Sequence, residues 1–334
     1  MSSFLDPADS DARKRRRARW RHGLAALFFT VVASALTVLA RRIDWGEVWD
    51  ALVDMPAPLL WQAAGLAAIS HALYSTYDLL GRAWTRHTMP TAKVMAVNFV
   101  SYAFNLNLGA LIGAFAFRYR LYSRLGLPND VITRIVGLSL VTNWLGYLLL
   151  AGAVFAFGGV AMPPGWDLSA GALRVLGVAM LAATLAYLLL CARSRRREWT
   201  LRGHAVALPP WPLAWRQLAV SCANWALIGA LITVLLGYRI DYPSVLGTFL
   251  VAALAGVITH IPAGLGVLEA VFIALLGTRV PTSSLLAALL AYRALHYLLP
   301  LVVASLVALR LETRPRQPRG AHAGARLAGP SHRR

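Results

Sequence analysis

The chain has 334 residues, 58% of them hydrophobic, and a formal net charge of +19. A mean hydropathy of +0.58 is too apolar for a water-soluble domain and implies several membrane spans. Cys191 and Cys222 both fall in apolar segments, which excludes a disulfide framework or a thiolate metal site. No Walker loop, dinucleotide fingerprint or zinc helix is present, so no ATPase, cofactor or metal is expected.

Residues 1–21 hold Arg13, Lys14, Arg15, Arg16, Arg17, Arg19 and Arg21 and read as a disordered cytoplasmic tail. The run Leu24 to Ala40 is long for a signal-peptide core, and Ala33-Ser-Ala35 makes a poor cleavage site, so 22–40 reads as an uncleaved first span. Loop 41–57 then lies outside. The second span, about 58–80, carries His71, Tyr74, Ser75, Asp78 and Arg82 at helical spacing on one face. Such a stripe faces protein rather than lipid. It serves either as a polar wall for a headgroup or proton, or as interhelical glue with Asp78 paired to an arginine.

The stretch 94–117 is apolar but contains Asn98, Asn105, Asn107, Gly109 and Gly113, and ends in Arg118-Tyr-Arg120. Three spans follow at about 131–157, 171–192 and 215–237, with the basic loop Arg193 to Arg197 between the last two. Had 94–117 crossed fully, that cluster would lie outside, against the positive-inside rule. A re-entrant hairpin at 94–117 keeps every arginine cluster inside. By the same parity the apolar stretch 244–277 becomes a hairpin entering from the outer side. The last span, about 284–309, leads into a second basic tail, 311–334.

The sequence therefore predicts an all-α polytopic membrane protein with about six full spans plus two oppositely inserted re-entrant hairpins, about eight hydrophobic segments. The membrane domain is 22–310, and both termini are cytoplasmic. The arginine tails suit anionic headgroups; a nucleic-acid partner is not expected, because no folded basic domain or aromatic platform accompanies them.

Chemistry concentrates at the breaks. Pro262, Gly264 and Gly266 cannot continue a helix comfortably, and backbone freed at membrane depth must be buried in protein or line a wet cavity. Glu269 follows them, where an ionised side chain costs roughly 2.5–3.5 kcal/mol on insertion scales. A broken helix beside a carboxylate points to a transport site. Arg293 is its expected partner, with His296 and Tyr297 close by; the pair either opens for an anionic group or statically fixes the hairpin. Arg118, Arg120 and Arg124 close the first hairpin, as a lipid-phosphate site or as topology anchors. Asn105 and Asn107 precede Gly109 and are expected to cap the returning half-helix. His260 borders the second break, as a proton carrier or a helix C-terminal partner.

Asn105-Leu-Asn-Leu-Gly109, Arg118-Tyr-Arg-Leu-Tyr-Ser-Arg-Leu-Gly126, Ile261-Pro-Ala-Gly-Leu-Gly-Val-Leu-Glu269 and Tyr292-Arg293 with Leu299-Pro300 resemble the lysylphosphatidylglycerol synthase transmembrane-domain family. Within it the chain is most similar to the stand-alone YbhN-like inner-membrane branch, over roughly residues 20–310. Ala263-Gly264 stands where two glycines are common in the family. The resemblance implies a flippase-like translocator of a phospholipid or lipid-linked anion in the bacterial inner membrane. No aminoacyl-transferase domain follows residue 310, so lysyl-lipid synthesis is not expected. Three rivals stand beside it: an ion-coupled small-solute transporter, a membrane enzyme using Glu269, His260 or Asp78 as acid/base, and a partner of lipid-synthesis enzymes.

Overall fold

A computed structural model describes residues 44–158, 170–195, 198–201, 204–259, 261 and 264–313. The expected first span at 22–40, both basic tails beyond these limits, His260 and Pro262 lie outside the described residues. The chain folds into a helical bundle. Helix α1, Trp45–Val53, starts where the Asp44 carboxylate accepts from the Gly46 and Glu47 amides at 2.9 and 3.2 Å, a side-chain N-cap. It meets the next helix at 87°. That helix runs as α2, Ala57–Ser75, and α3, Tyr77–Thr85. Its interruption at Thr76 is local: the Ser75 and Thr76 hydroxyls donate back to the His71 and Leu73 carbonyls, both at 2.6 Å, a bond that competes with the helical ladder.

Helix α4, Thr91–Leu108, enters after Pro90 and stops at Gly109, whose φ of +85° breaks the helical path. The chain returns through a π-helical segment, Leu111–Phe117, and α5, Arg118–Arg124. The return is closely packed: Phe104 stacks on Phe117 at 4.1 Å, and the Tyr122 hydroxyl donates to the Val94 carbonyl at 3.4 Å. Both arms therefore begin and end at the same end of the bundle. A Cβ on Gly113 would lie 2.0 Å from the Asn105 nitrogen, so only glycine allows this approach. Gly113→Ala is expected to open or misfold the hairpin, read as a loss of monodisperse protein after detergent extraction; normal yield and melting would show that the arms can separate cheaply.

Helices α6, Asn129–Ala156, and α7, Ala170–Arg193, pack together, and a short antiparallel hairpin, β1 Glu198–Leu201 and β2 His204–Ala207, leads to α8, Trp211–Leu235. Helix α8 lies antiparallel to α2: Ser70 donates to Asn224 at 2.8 Å, and Tyr238 beyond its end donates to Gln62 at 3.0 Å. Helices α9, Tyr242–Thr259, and α10, Val267–Leu276, form the second hairpin. Its ends meet where Arg279 donates to Asp241 at 3.4 Å and to Ser244 at 3.2 Å. The final helical stretch is α11, Thr282–Arg293, a π-helical segment Ala294–Leu298, and α12, Leu299–Glu312.

The first hairpin's ends share the Arg86 end of the bundle with Glu312, which pairs with Arg120 at 2.7 Å. The second hairpin's ends share the opposite end with Gln62 and Tyr238. Two apolar clusters sit at these poles. One joins α4, α5, α6 and α12 through Val94, Val97, Leu127, Ile132 and Ala304. The other joins α2, α8, α9, α10 and α11 through Ala63, Leu231, Val245, Phe272 and Leu289.

Five described helices are long and apolar enough to cross a membrane: Asn129–Ala156, Gly171–Arg193, Trp211–Leu235, Tyr242–Thr259 and Thr282–Glu312. Four coincide with expected spans. The fifth, Tyr242–Thr259, is one arm of the expected second hairpin. The expected span at 58–80 qualifies only together with α1 as a bent pair, because Gln62, His71 and the rest of its polar stripe dilute its apolar character. The β-hairpin is a departure from the all-α expectation. It occupies a loop outside the apolar helices, where Trp199 pairs with Val206 and Thr200 with Ala205, residue types suited to extended chain.

Candidate functional site

The two hairpin tips line one cavity. Its volume is about 260 Å³, and it is lined by Asn105 from the first tip and by Gly256, Gly264 and Leu268 around the second. Helices α6 and α8 add Asn143, Trp144, Asn224 and Trp225, while Tyr292, His296 and Tyr297 close it from the last helix. The tips are tied through that helix. Asn107 donates its amide to the Tyr297 carbonyl at 3.2 Å, and Arg293 donates to the Gly264 carbonyl at 3.2 Å.

Glu269 and Arg293 form the bidentate pair expected from the sequence: Nε to Oε1 is 2.6 Å and Nη2 to Oε2 is 3.1 Å. Gly264 and Gly266 have φ of +57° and +76°, conformations that turn the chain into α10 and place Glu269 in its first turn. The pair keeps 11% and 13% side-chain exposure, so it is neither sealed nor open. Arg293 also lies over the Tyr297 ring at 5.5 Å, within cation–π range. The guanidinium is therefore already occupied by a carboxylate. A phosphate at Arg293 has to displace Glu269 or share the guanidinium with it.

Asp78 and Arg118 form a second pair away from the cavity lining. Arg118 is 2% exposed and Asp78 is fully buried. Nε and Nη2 of Arg118 reach the Asp78 carboxylate at 3.0 and 3.3 Å. Nη1 donates to the Ala114 carbonyl, and Nη2 is shared with Ser139 and Asn98. Tyr122 donates to Asp78 at 2.8 Å.

Of the three expected arginines, Arg118 turns away while Arg120 and Arg124 meet at Glu312. Arg118 and Arg120, two residues apart on a helix, face opposite ways: Arg120 is exposed on Glu312, and Arg124 donates to the Glu312 carbonyl. The expected capping by Asn105 and Asn107 is also corrected. No side chain caps the returning arm, because both asparagines belong to the last turns of α4, and Asn107 donates back to the Ala103 carbonyl at 2.8 Å.

His71, which the sequence places on the polar stripe, meets His296 ring to ring at 4.6 Å. Asn143 and Asn224 escaped the sequence reading. Their signal was present, an amide inside a span expected to be mainly apolar. Among the described residues no group of three or more His, Cys, Asp or Glu is placed to hold a metal ion.

A bundle of apolar helices with two opposed broken hairpins around a shared cavity defines a polytopic membrane protein. The chain belongs to the family described as the lysylphosphatidylglycerol synthase TM region, whose model matches residues 23–304. It is 46% identical to the inner membrane protein YbhN of Escherichia coli over 311 residues, covering 92% of this chain and 98% of that one. An uncharacterized protein of Synechocystis is 28% identical over 85% of this chain and 88% of its own length. A phosphatidylglycerol lysyltransferase of Staphylococcus haemolyticus is 26% identical over 84% of this chain but only 32% of its own length.

Proposed function

We propose that this protein carries the headgroup of an anionic phospholipid between the leaflets of a bacterial inner membrane without ATP. The observation that carries the reading is the character of the cavity rim. Val257 lines the cavity and is 46% exposed, and Leu265, between the two positive-φ glycines, is 52% exposed. On the first tip Leu108 and Leu111 are 48% and 81% exposed. An apolar rim at the hairpin tips suits acyl chains that stay in the bilayer while the headgroup occupies the polar interior.

The groups around the cavity divide the work. Arg293 receives the phosphate, Glu269 holds the guanidinium when no anion is bound, and Asn105, Asn143 and Asn224 replace water around the headgroup. Both intramembrane carboxylates are held by arginines, which favours a conduit over acid/base catalysis. The names of the relatives agree: one is an inner membrane protein and another acts on phosphatidylglycerol.

The test is purified protein in liposomes with headgroup-labelled phospholipids, scored by quencher access to each leaflet. Protein-dependent exchange of anionic lipid is expected. Exchange that is absent, or uptake of a soluble solute instead, overturns the reading.

In this reading both hairpins are re-entrant and the Arg86 end is cytoplasmic, with both termini on that side. In a background lacking Cys191 and Cys222, cysteines at Ser123 and Ser194 are expected to resist a membrane-impermeant thiol reagent in intact cells, while one at exposed Thr282 reacts. Labelling of Ser123→Cys from outside would make the first hairpin a full crossing.

A further inference from the structure

We infer that His71 and His296 form a proton-binding site that couples proton entry to lipid movement through the adjoining cavity; the inference rests on the translocation reading above. The two rings come from α2 and from the π-helical segment and meet at 4.6 Å, edge to face. His71 donates Nδ1–H to the Ala67 carbonyl at 3.0 Å, which leaves Nε2 with a free lone pair. That atom and both ring nitrogens of His296 have no hydrogen-bond partner among the described residues, although His71 is 3% and His296 0% exposed. Buried polar atoms are nearly always satisfied, and those that are not call for a functional account. Three such nitrogens in one contact, beside a cavity lined by His296, are an acceptor site for a proton arriving through that cavity.

The titratable and charged groups facing the pair are few. Tyr74 from α2 and Tyr102 from α4 stack on each other at 3.5 Å, and Tyr102 lies 5.1 Å from His71. Tyr292 from α11 stacks on His296 at 5.3 Å, and Tyr297 lies at 5.9 Å. Behind Tyr297 stands Arg293 with Glu269. From α8 comes the neutral Asn224, and Phe99 of α4 completes the ring contacts of His71.

The step is a simple transfer. A water-borne proton adds to the Nε2 lone pair of His71 or to the acceptor nitrogen of His296, and one imidazolium results. That cation sits one ring away from Arg293. Two cations draw an anionic headgroup into the cavity more strongly than one, and release of the proton on the other side lets the headgroup go. The proton and the lipid phosphate then travel as a neutral combination.

The experiment uses full-length protein in liposomes containing headgroup-labelled phosphatidylglycerol, with the membrane potential clamped by potassium and valinomycin. With one proton per lipid, a pH difference of about one unit should bias the steady-state leaflet ratio by up to about tenfold. The wild type is expected to show that asymmetry. The double variant His71→Gln with His296→Gln, which removes both acceptors, is expected to return the ratio to even whatever its exchange rate, and asymmetry that persists in it overturns the site. An even ratio in a wild type that does exchange lipid overturns the coupling and leaves translocation standing. If no lipid exchanges at all, the translocation reading fails, and histidine-labelled NMR of the wild type decides the site. Titration of the His71 and His296 rings as a coupled pair, assigned with His71→Gln, supports proton binding. Rings that stay silent across the acid-to-neutral range overturn it.

Discussion

Glu269→Gln and Arg293→Gln are each expected to slow leaflet exchange about tenfold or more, while the double variant loses much less than the product of the two. Removing one partner of a fully buried pair costs roughly 3–5 kcal/mol, because the other charge is left unpaired. Here both side chains retain slight exposure beside a cavity, so the cost falls to something on the order of 1–3 kcal/mol. Glu269→Gln leaves Arg293 with only the Gly264 carbonyl and the Tyr297 face among the contacts described above. Its guanidinium should then hold an anionic headgroup too tightly and trap it. Arg293→Gln removes the phosphate contact itself and leaves Glu269 to repel the lipid. The two single variants therefore differ in kind: labelled lipid accumulates on the first and fails to bind the second. The double variant removes the trapping and the repulsion though not the missing phosphate contact, so its loss stays near that of one single variant, which is the coupling a double-mutant cycle detects. Strictly additive losses in well-folded protein would show that the pair does not act as a unit, and full activity in Glu269→Gln would leave the second hairpin as scaffold.

The broken second hairpin and its ion pair were legible because they break strong local rules. Glycines flanked by apolar runs interrupt a helix, and a carboxylate beside them demands a cation, which the next helix supplies once, at Arg293. The hairpin at 94–117 was legible only through bookkeeping of charge across the whole chain. Its packing depends on Gly113, whose significance is a tertiary distance that no local pattern reveals. What sequence did not give is the depth at which side chains from distant segments meet. Asn143 and Asn224 converge with Asn105 on one cavity, yet the three come from three different helices. The His71–His296 contact spans 225 positions along the chain and joins one end of the sequence to the other. The arginines after the first hairpin misled for a related reason. Residues two apart on a helix look clustered in a string and diverge in space, so Arg118 went inward and Arg120 outward.

Asp78 and Arg118 invite the opposite expectation from Glu269 and Arg293, although both are intramembrane ion pairs. Arg118 is enclosed, and its donors go to Asp78, Asn98, Ser139 and the Ala114 carbonyl. An anionic headgroup would have to break several hydrogen bonds inside a sealed site to reach it, whereas Arg293 keeps slight exposure beside the cavity. The buried pair therefore clamps α3 to the returning arm of the first hairpin and to α6, and leaves substrate handling to the other. Asp78→Asn or Arg118→Gln is expected to destabilise the fold by roughly 3–5 kcal/mol, seen as a lowered melting temperature and poor recovery from detergent. Replacing both together, Asp78→Leu with Arg118→Met, removes both buried charges at comparable volume and should recover much of that loss, since a buried pair is often no more stable than an apolar substitute. The decisive measurement is leaflet exchange per folded molecule in this double variant. Activity close to wild type fits a clamp, because Arg118 and Asp78 are sealed at 2% and 0% exposure whereas Arg293 and Glu269 are not. A stable, well-folded double variant that no longer moves lipid would place Asp78 and Arg118 on the pathway, and the first hairpin would then have to open during transport.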